Sequence, residues 1–164
     1  MNTKNKLFLP CIVTAIATLF MLLCVVLPML VIADDDARDM LEEYDKEEYA
    51  SMSILSFSQL YAEEEEDDGA ICLILTAVLA AFSLFALVWA LTKHPIGTII
   101  FDILASGVFV LFCAFFTEGR AISDGIYKWS IAYYLYIICA VVAFASSIWM
   151  LVCKIKAKKN RTQE

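Results

Sequence analysis

Four stretches almost free of charge divide this chain: residues 7–33, 70–92, 95–117 and 129–153. A bilayer core takes roughly 20 apolar residues as a helix, and each stretch reaches that length. Inside lipid a backbone must satisfy its own hydrogen bonds, so runs of this length predict helices. Strands of a membrane barrel would be about half as long and would alternate apolar with polar, and no such alternation is present. The expected fold class is an all-α membrane protein. Its expected form is an antiparallel bundle of four transmembrane helices, one domain over residues 1–164 with a long acidic first extracytoplasmic loop.

These spans use more than half of the 164 residues, and the whole chain is 62% hydrophobic with a mean hydropathy of +0.76. A soluble domain is closer to half apolar. The largest remaining piece, 34–69, is too short and too acidic to build a core of its own. The formal net charge of −7 is unevenly spread, with most acid in that one piece and most base near the termini. No basic patch comes with aromatic residues placed for stacking, which argues against nucleic acid as a partner.

Basic residues set the expected orientation. With the N-terminus cytoplasmic, Lys4, Lys6, Lys93, Lys154, Lys156, Lys158, Lys159 and Arg161 lie inside, and only Arg38, Lys46, Arg120 and Lys128 lie outside. Both termini are therefore expected in the cytoplasm of a multi-pass cell-membrane protein, with 34–69 and 118–128 outside and 154–164 as a basic tail. Tyr127 and Trp129 at one face, and Trp89 and Trp149 at the other, suit headgroup depth. A competing reading treats 1–33 as a signal sequence, with Lys4 and Lys6 as its basic region and cleavage after Ala33. Its apolar run of 27 residues exceeds the usual 7–15. Pro28 is expected to kink or end the first helix before Ala33.

The segment 34–69 holds fifteen carboxylates against Arg38 and Lys46. Such density stays hydrated and self-repelling unless cations or a basic partner arrive. Its densest part is Glu63, Glu64, Glu65, Glu66, Asp67 and Asp68, a candidate for weak divalent-cation or partner binding. Glu64, Glu66, Asp68 and Gly69 match the start of an EF-hand loop, but the twelfth position is Leu75 where a bidentate Glu is required. No specific metal site is indicated. Ahead of the acidic run, Ile54, Phe57 and Tyr61 fall at helical spacing. They fit either a short amphipathic helix on the outer surface or a loop with an apolar centre.

Asp102 is the one ionisable residue well inside a span. It lies seven residues past Pro95, about 10 Å deep at 1.5 Å per residue. An acid there is costly and is by default a functional-site hypothesis. Counting from the same face, Thr14, Ser83, Ser146 and Ser147 reach a similar depth, and Ser106 is one turn further along the helix of Asp102. These six residues predict an intramembrane polar layer. It serves either as a proton or cation site or as a hydrogen-bonded lock on helix packing. The pairs Ala77 and Ala81, and Ala143 and Ser147, together with Gly97 and Gly107, are small enough for close helix approach. His94, in the tight link between the second and third spans, is the only histidine. The six cysteines contain no CxxC and read as small buried apolar residues. No catalytic set of side chains and no cofactor motif is present, so an enzyme is not expected.

Cytoplasmic termini, a long first outer loop and a short second one resemble the claudin-type four-helix proteins. The resemblance implies the layout of the spans and nothing further. The first loop lacks the tryptophan motif and the cysteine pair of that family, so no function is transferred. The tetraspanin cysteine-glycine motif is also missing. The expected function is that of a non-enzymatic scaffold, assembly or modulatory protein. Its partners are membrane lipids and a membrane protein or further copies of itself. Two alternatives are a small transporter or channel subunit using Asp102, and an extracellular divalent-cation sensor.

Overall fold

In the computed structural model of the protein, residues 3–34, 38–39, 47–64, 66–118 and 125–161 are described. The chain is mostly helical. In order it forms α1 (Thr3–Cys24), β1 (Pro28–Ile32), a short 3-10 turn (Glu47–Ala50) and β2 (Ser51–Ser53). Then follow α2 (Ile54–Glu64), α3 (Glu66–Leu91), α4 (Pro95–Glu118), β3 (Tyr127–Trp129) and α5 (Ile131–Arg161). Four segments are long and apolar enough to cross a membrane: Leu7–Cys24, Ala70–Leu91, Pro95–Thr117 and Ile131–Lys159. They mark a multi-pass membrane protein.

The helices pack α1 against α5 and α3, and α4 against α3 and α5. Their interfaces mix large side chains such as Met21, Leu79, Phe112, Phe116 and Tyr136 with small and hydroxylic ones. Ala17, Ala86, Ala90, Ala105 and Ala143 are buried, as are Thr14, Thr18, Thr98 and Ser83. The outward surface carries Phe8, Ile16, Leu23, Ile74, Ile103, Val110 and Val141. In water this distribution would be inverted. In lipid, the outward apolar side chains lose nothing, and close packing of the interior holds the helices together.

The first apolar run does not continue as a helix to Ala33: the helix ends early, as Pro28 led one to expect, and its membrane-length part is shorter than the apolar run 7–33. α1 stops at Cys24, and a turn closes with Val26 N–H donating to the Leu23 carbonyl at 3.1 Å. Pro28 explains the stop, because it disfavours helical geometry in the residue before it and cannot donate to a helical ladder. Val31 and Ile32 then suit a strand through their β-branched side chains. β1 is the central strand of a three-stranded sheet, β2-β1-β3, antiparallel to both neighbours. Leu30 faces Met52 on one side and Trp129 on the other. Flanking bonds extend the sheet, from Ala33 N–H to the Ile126 carbonyl and from Ser130 N–H to the Met29 carbonyl, both 2.8 Å.

The fourth span is corrected as well. Trp129 belongs to β3, and α5 begins at Ile131 and runs to Arg161. Ser130 caps it, its hydroxyl accepting from Ala132 N–H at 3.2 Å and donating to the Pro28 carbonyl. Residues 154–161, expected as part of a basic tail, continue this helix.

α2 takes the amphipathic form of the two considered, over Ile54–Glu64. Ser53 and Ser56 cap it reciprocally, Ser56 N–H to Ser53 Oγ at 3.0 Å and Ser53 N–H to Ser56 Oγ at 2.8 Å. The link between α3 and α4 closes as a Schellman motif, with His94 N–H on the Trp89 carbonyl at 2.9 Å and Lys93 N–H on the Ala90 carbonyl at 3.0 Å. Lys93 takes the left-handed position at φ 59°, where glycine is usual. Pro95 then opens α4 at its first position.

Candidate functional site

Two regions carry polar chemistry on this scaffold: the interior between the spans, and the end that bears the sheet.

Of the six residues expected in the polar layer, Asp102, Thr14, Ser83, Ser146 and Ser147 are buried, and Ser106 is half-buried. Thr14 and Ser146 meet across α1 and α5, Oγ1 to Oγ at 2.8 Å. Each also bonds its own helix, Thr14 to the Pro10 carbonyl and Ser146 to the Val142 carbonyl, both at 2.7 Å. One turn along, Thr18 is spent on the Thr14 carbonyl at 3.0 Å.

The other members are not bonded to that pair. Asp102 is 2% exposed, and its Oδ1 has no hydrogen-bond partner among the described residues. The hydroxyls of Ser83, Ser147 and Tyr136 share that condition. Tyr136 on α5 was not expected here, because an aromatic residue a few positions into a span reads as a headgroup anchor. Its ring stacks on Phe109 with centroids 3.9 Å apart.

Among the small residues, the expectation holds at some positions and fails at others. Ala143 and Ser147 are both buried, whereas Ala77 faces outward. A Cβ added at Gly97 would come within 2.8 Å of the Trp89 ring, and one at Gly107 would meet nothing within 4 Å. Gly107 therefore serves no close approach within the chain. The missed pair is Ala86 and Ala90, both fully buried. Ala90 offers its carbonyl to the Cys11 thiol at 3.2 Å. All six cysteines are free.

At the sheet end, α2 is fastened to the helices below it. Ile54 is fully buried, and Ser58 Oγ meets Thr76 Oγ1 of α3 at 2.6 Å. Phe57 sets its edge against Phe116 of α4 at 4.6 Å. Trp129 stacks on Tyr133 at 4.3 Å and also touches Phe116. The Tyr127 hydroxyl donates to the Tyr49 carbonyl at 3.1 Å, and burial pushes that phenol above its ordinary range. The side chains of Glu63, Glu64, Glu65, Glu66, Asp67 and Asp68 lie outside the described residues, as does most of 35–46. Among the described residues, no three His, Cys, Asp or Glu are grouped to hold a metal ion.

No protein-family model, no curated protein and no solved structure matches this chain.

Proposed function

We propose that this chain is a non-enzymatic membrane scaffold, an assembly or modulatory protein that recruits a membrane-protein partner or further copies of itself through its acidic face. In this reading the four spans form one antiparallel bundle across the cell membrane. Both termini are cytoplasmic, and the acidic segment 34–69 lies outside.

One observation carries the reading: the chain between the first two spans is anchored at both of its ends. β1 and β2 tie it into the sheet, and α2 is docked on α3 and α4 through Ser58 and Phe57. The two acidic stretches, 34–48 and 63–68, flank these anchored pieces. Fixing the anchors lowers the entropy cost of ordering such a charged segment against a partner. A clustered negative face attracts basic partners and repels acidic ones, and the attraction weakens with salt.

The test is co-purification from native membranes after mild crosslinking. The wild type should carry a reproducible partner, or a second copy of itself. Replacing Glu63, Glu64, Glu65 and Glu66 by Gln and Asp67 and Asp68 by Asn should remove it, and raised salt should weaken capture of the wild type. Full retention by the neutralised variant sinks the proposal. Glycosylation-site insertion near residue 40 tests the orientation independently, since modification is expected only if that segment is outside.

A further inference from the structure

The end of the bundle away from the sheet is basic, and the scaffold reading does not use it. α5 leaves the sheet at Ile131 and reaches Lys154 after 23 residues. At 1.5 Å per residue that is about 35 Å, slightly more than the roughly 30 Å of a hydrocarbon core. Lys154 therefore stands at headgroup depth, and the helix runs on past it to Arg161. Trp149, five residues earlier, and Trp89, near the end of α3, are both exposed, as suits an interfacial belt.

Lys154 is held in place. Its Nζ donates to the Lys93 carbonyl at 3.2 Å, which ties α5 to the α3–α4 link. An ammonium carries three N–H groups, and this bond uses one. Lys158 lies one turn further along the same face of α5. Leu151, Lys154, Ile155, Ala157 and Lys158 line a hollow of about 480 Å³. Three of these residues are apolar and two are lysines. The sequence has no Asp or Glu in 1–33, 69–101 or 125–163. The acids closest along the chain are Asp102, buried seven residues into α4, and Glu164, which lies outside the described residues.

We infer that this hollow seats an anionic phospholipid, with its phosphate between Lys154 and Lys158. Lysine suits a phosphate as a point charge with several donors, and each lysine near the surface strengthens the attraction to anionic lipid. Leu151, Ile155 and Ala157 supply the apolar contact for the start of the acyl chains. Ile155 is 60% exposed and gains from that cover. Charge selects the headgroup. A zwitterionic lipid brings a cation of its own, which would meet lysines and no carboxylate here. A free phosphate would gain nothing from the apolar lining, which favours the lipid.

The experiment uses the full chain in detergent, with phosphatidylglycerol as the probe. Its unfolding midpoint is measured with phosphatidylglycerol and with phosphatidylcholine of the same acyl chains at equal mole fraction. Phosphatidylglycerol should raise the midpoint by about 4 °C at saturation, because a ligand bound only by the folded state stabilises it. Lys154→Gln with Lys158→Gln should keep the helical spectrum and raise the half-saturating mole fraction roughly tenfold. Lys156→Gln with Lys159→Gln removes the same charge from outside that face, and should raise it less than about threefold. Equal wild-type midpoints in the two lipids overturn the proposal. Equal losses in the two double variants also overturn it, since they mean diffuse attraction to the surface and no site. Inorganic phosphate alone should give no shift, and a full shift would overturn the lipid assignment. The phosphatidylglycerol shift should persist when 63–68 is neutralised, which separates this outcome from that of the scaffold proposal.

Discussion

Thr14 and Ser146, 132 residues apart in the chain, place their hydroxyl oxygens 2.8 Å from each other at the α1–α5 interface. Two hydroxyl protons serve four contacts there: the mutual bond and the back-bonds to the Pro10, Val142 and Ala143 carbonyls. The protons are therefore shared, and the pair is worth less than four full bonds. Interhelical hydrogen bonds in lipid average about 0.6 kcal/mol for a related reason, since the alternative partners are close by. A double-mutant cycle of Thr14→Val and Ser146→Ala, read by unfolding in bicelles, should give a coupling of about 0.6 kcal/mol. Coupling near zero would show that the back-bonds hold both protons.

The two glycines of α4 should respond oppositely. Gly97→Ala forces a methyl to 2.8 Å from the Trp89 ring, and overpacking of this kind typically costs about 1–3 kcal/mol. Part of that is offset by the better helix propensity of alanine, about 1 kcal/mol. Gly107→Ala meets nothing, so only the propensity gain remains. Unfolding midpoints should fall for the first variant and rise for the second. Trp89→Leu, by removing the ring, should relieve the first.

The mature chain should retain residues 1–33. β1 is the central strand of the sheet, and α1 packs on both α5 and α3. Cleavage after Ala33 would leave β2 and β3 without the strand that joins them. N-terminal sequencing of the membrane-purified protein checks this, and a first residue of Asp34 would refute it.

Tyr127 gives a pH signature at the sheet end. Burial favours its neutral phenol, which donates to the Tyr49 carbonyl at 3.1 Å. The unfolded phenol ionises near 10 and the folded one higher. The folded state therefore holds this proton after the unfolded state has released it. The contribution is fully present below about pH 10 and is lost as pH rises through the folded value. Tyr127→Phe should lose about 1 kcal/mol at neutral pH, the usual worth of such a bond. It should also show a shallower decline than wild type above pH 10.

The sequence by itself determined that four segments are helices fit for a membrane. A charge-free run of more than twenty residues leaves the backbone no partner but itself. It also singled out Thr14, Ser83, Ser146 and Ser147 by depth, since depth along a helix is a count of residues, and all four are buried. What it did not determine is where an apolar run stops being helix. Residues 28–32 are as apolar as the helix before them, and only pairing with Met52 on one side and Trp129 on the other makes them a strand. Facing was equally hidden. Ser106 and Gly107 lie on the right helix at plausible depths, yet one is half-buried and the other opens outward. Tyr136 resembles an interfacial anchor, yet it is buried and stacked on Phe109. Depth is local and can be read along one chain. Which face of a helix meets which neighbour depends on residues more than a hundred positions away, and only the packed structure decides it.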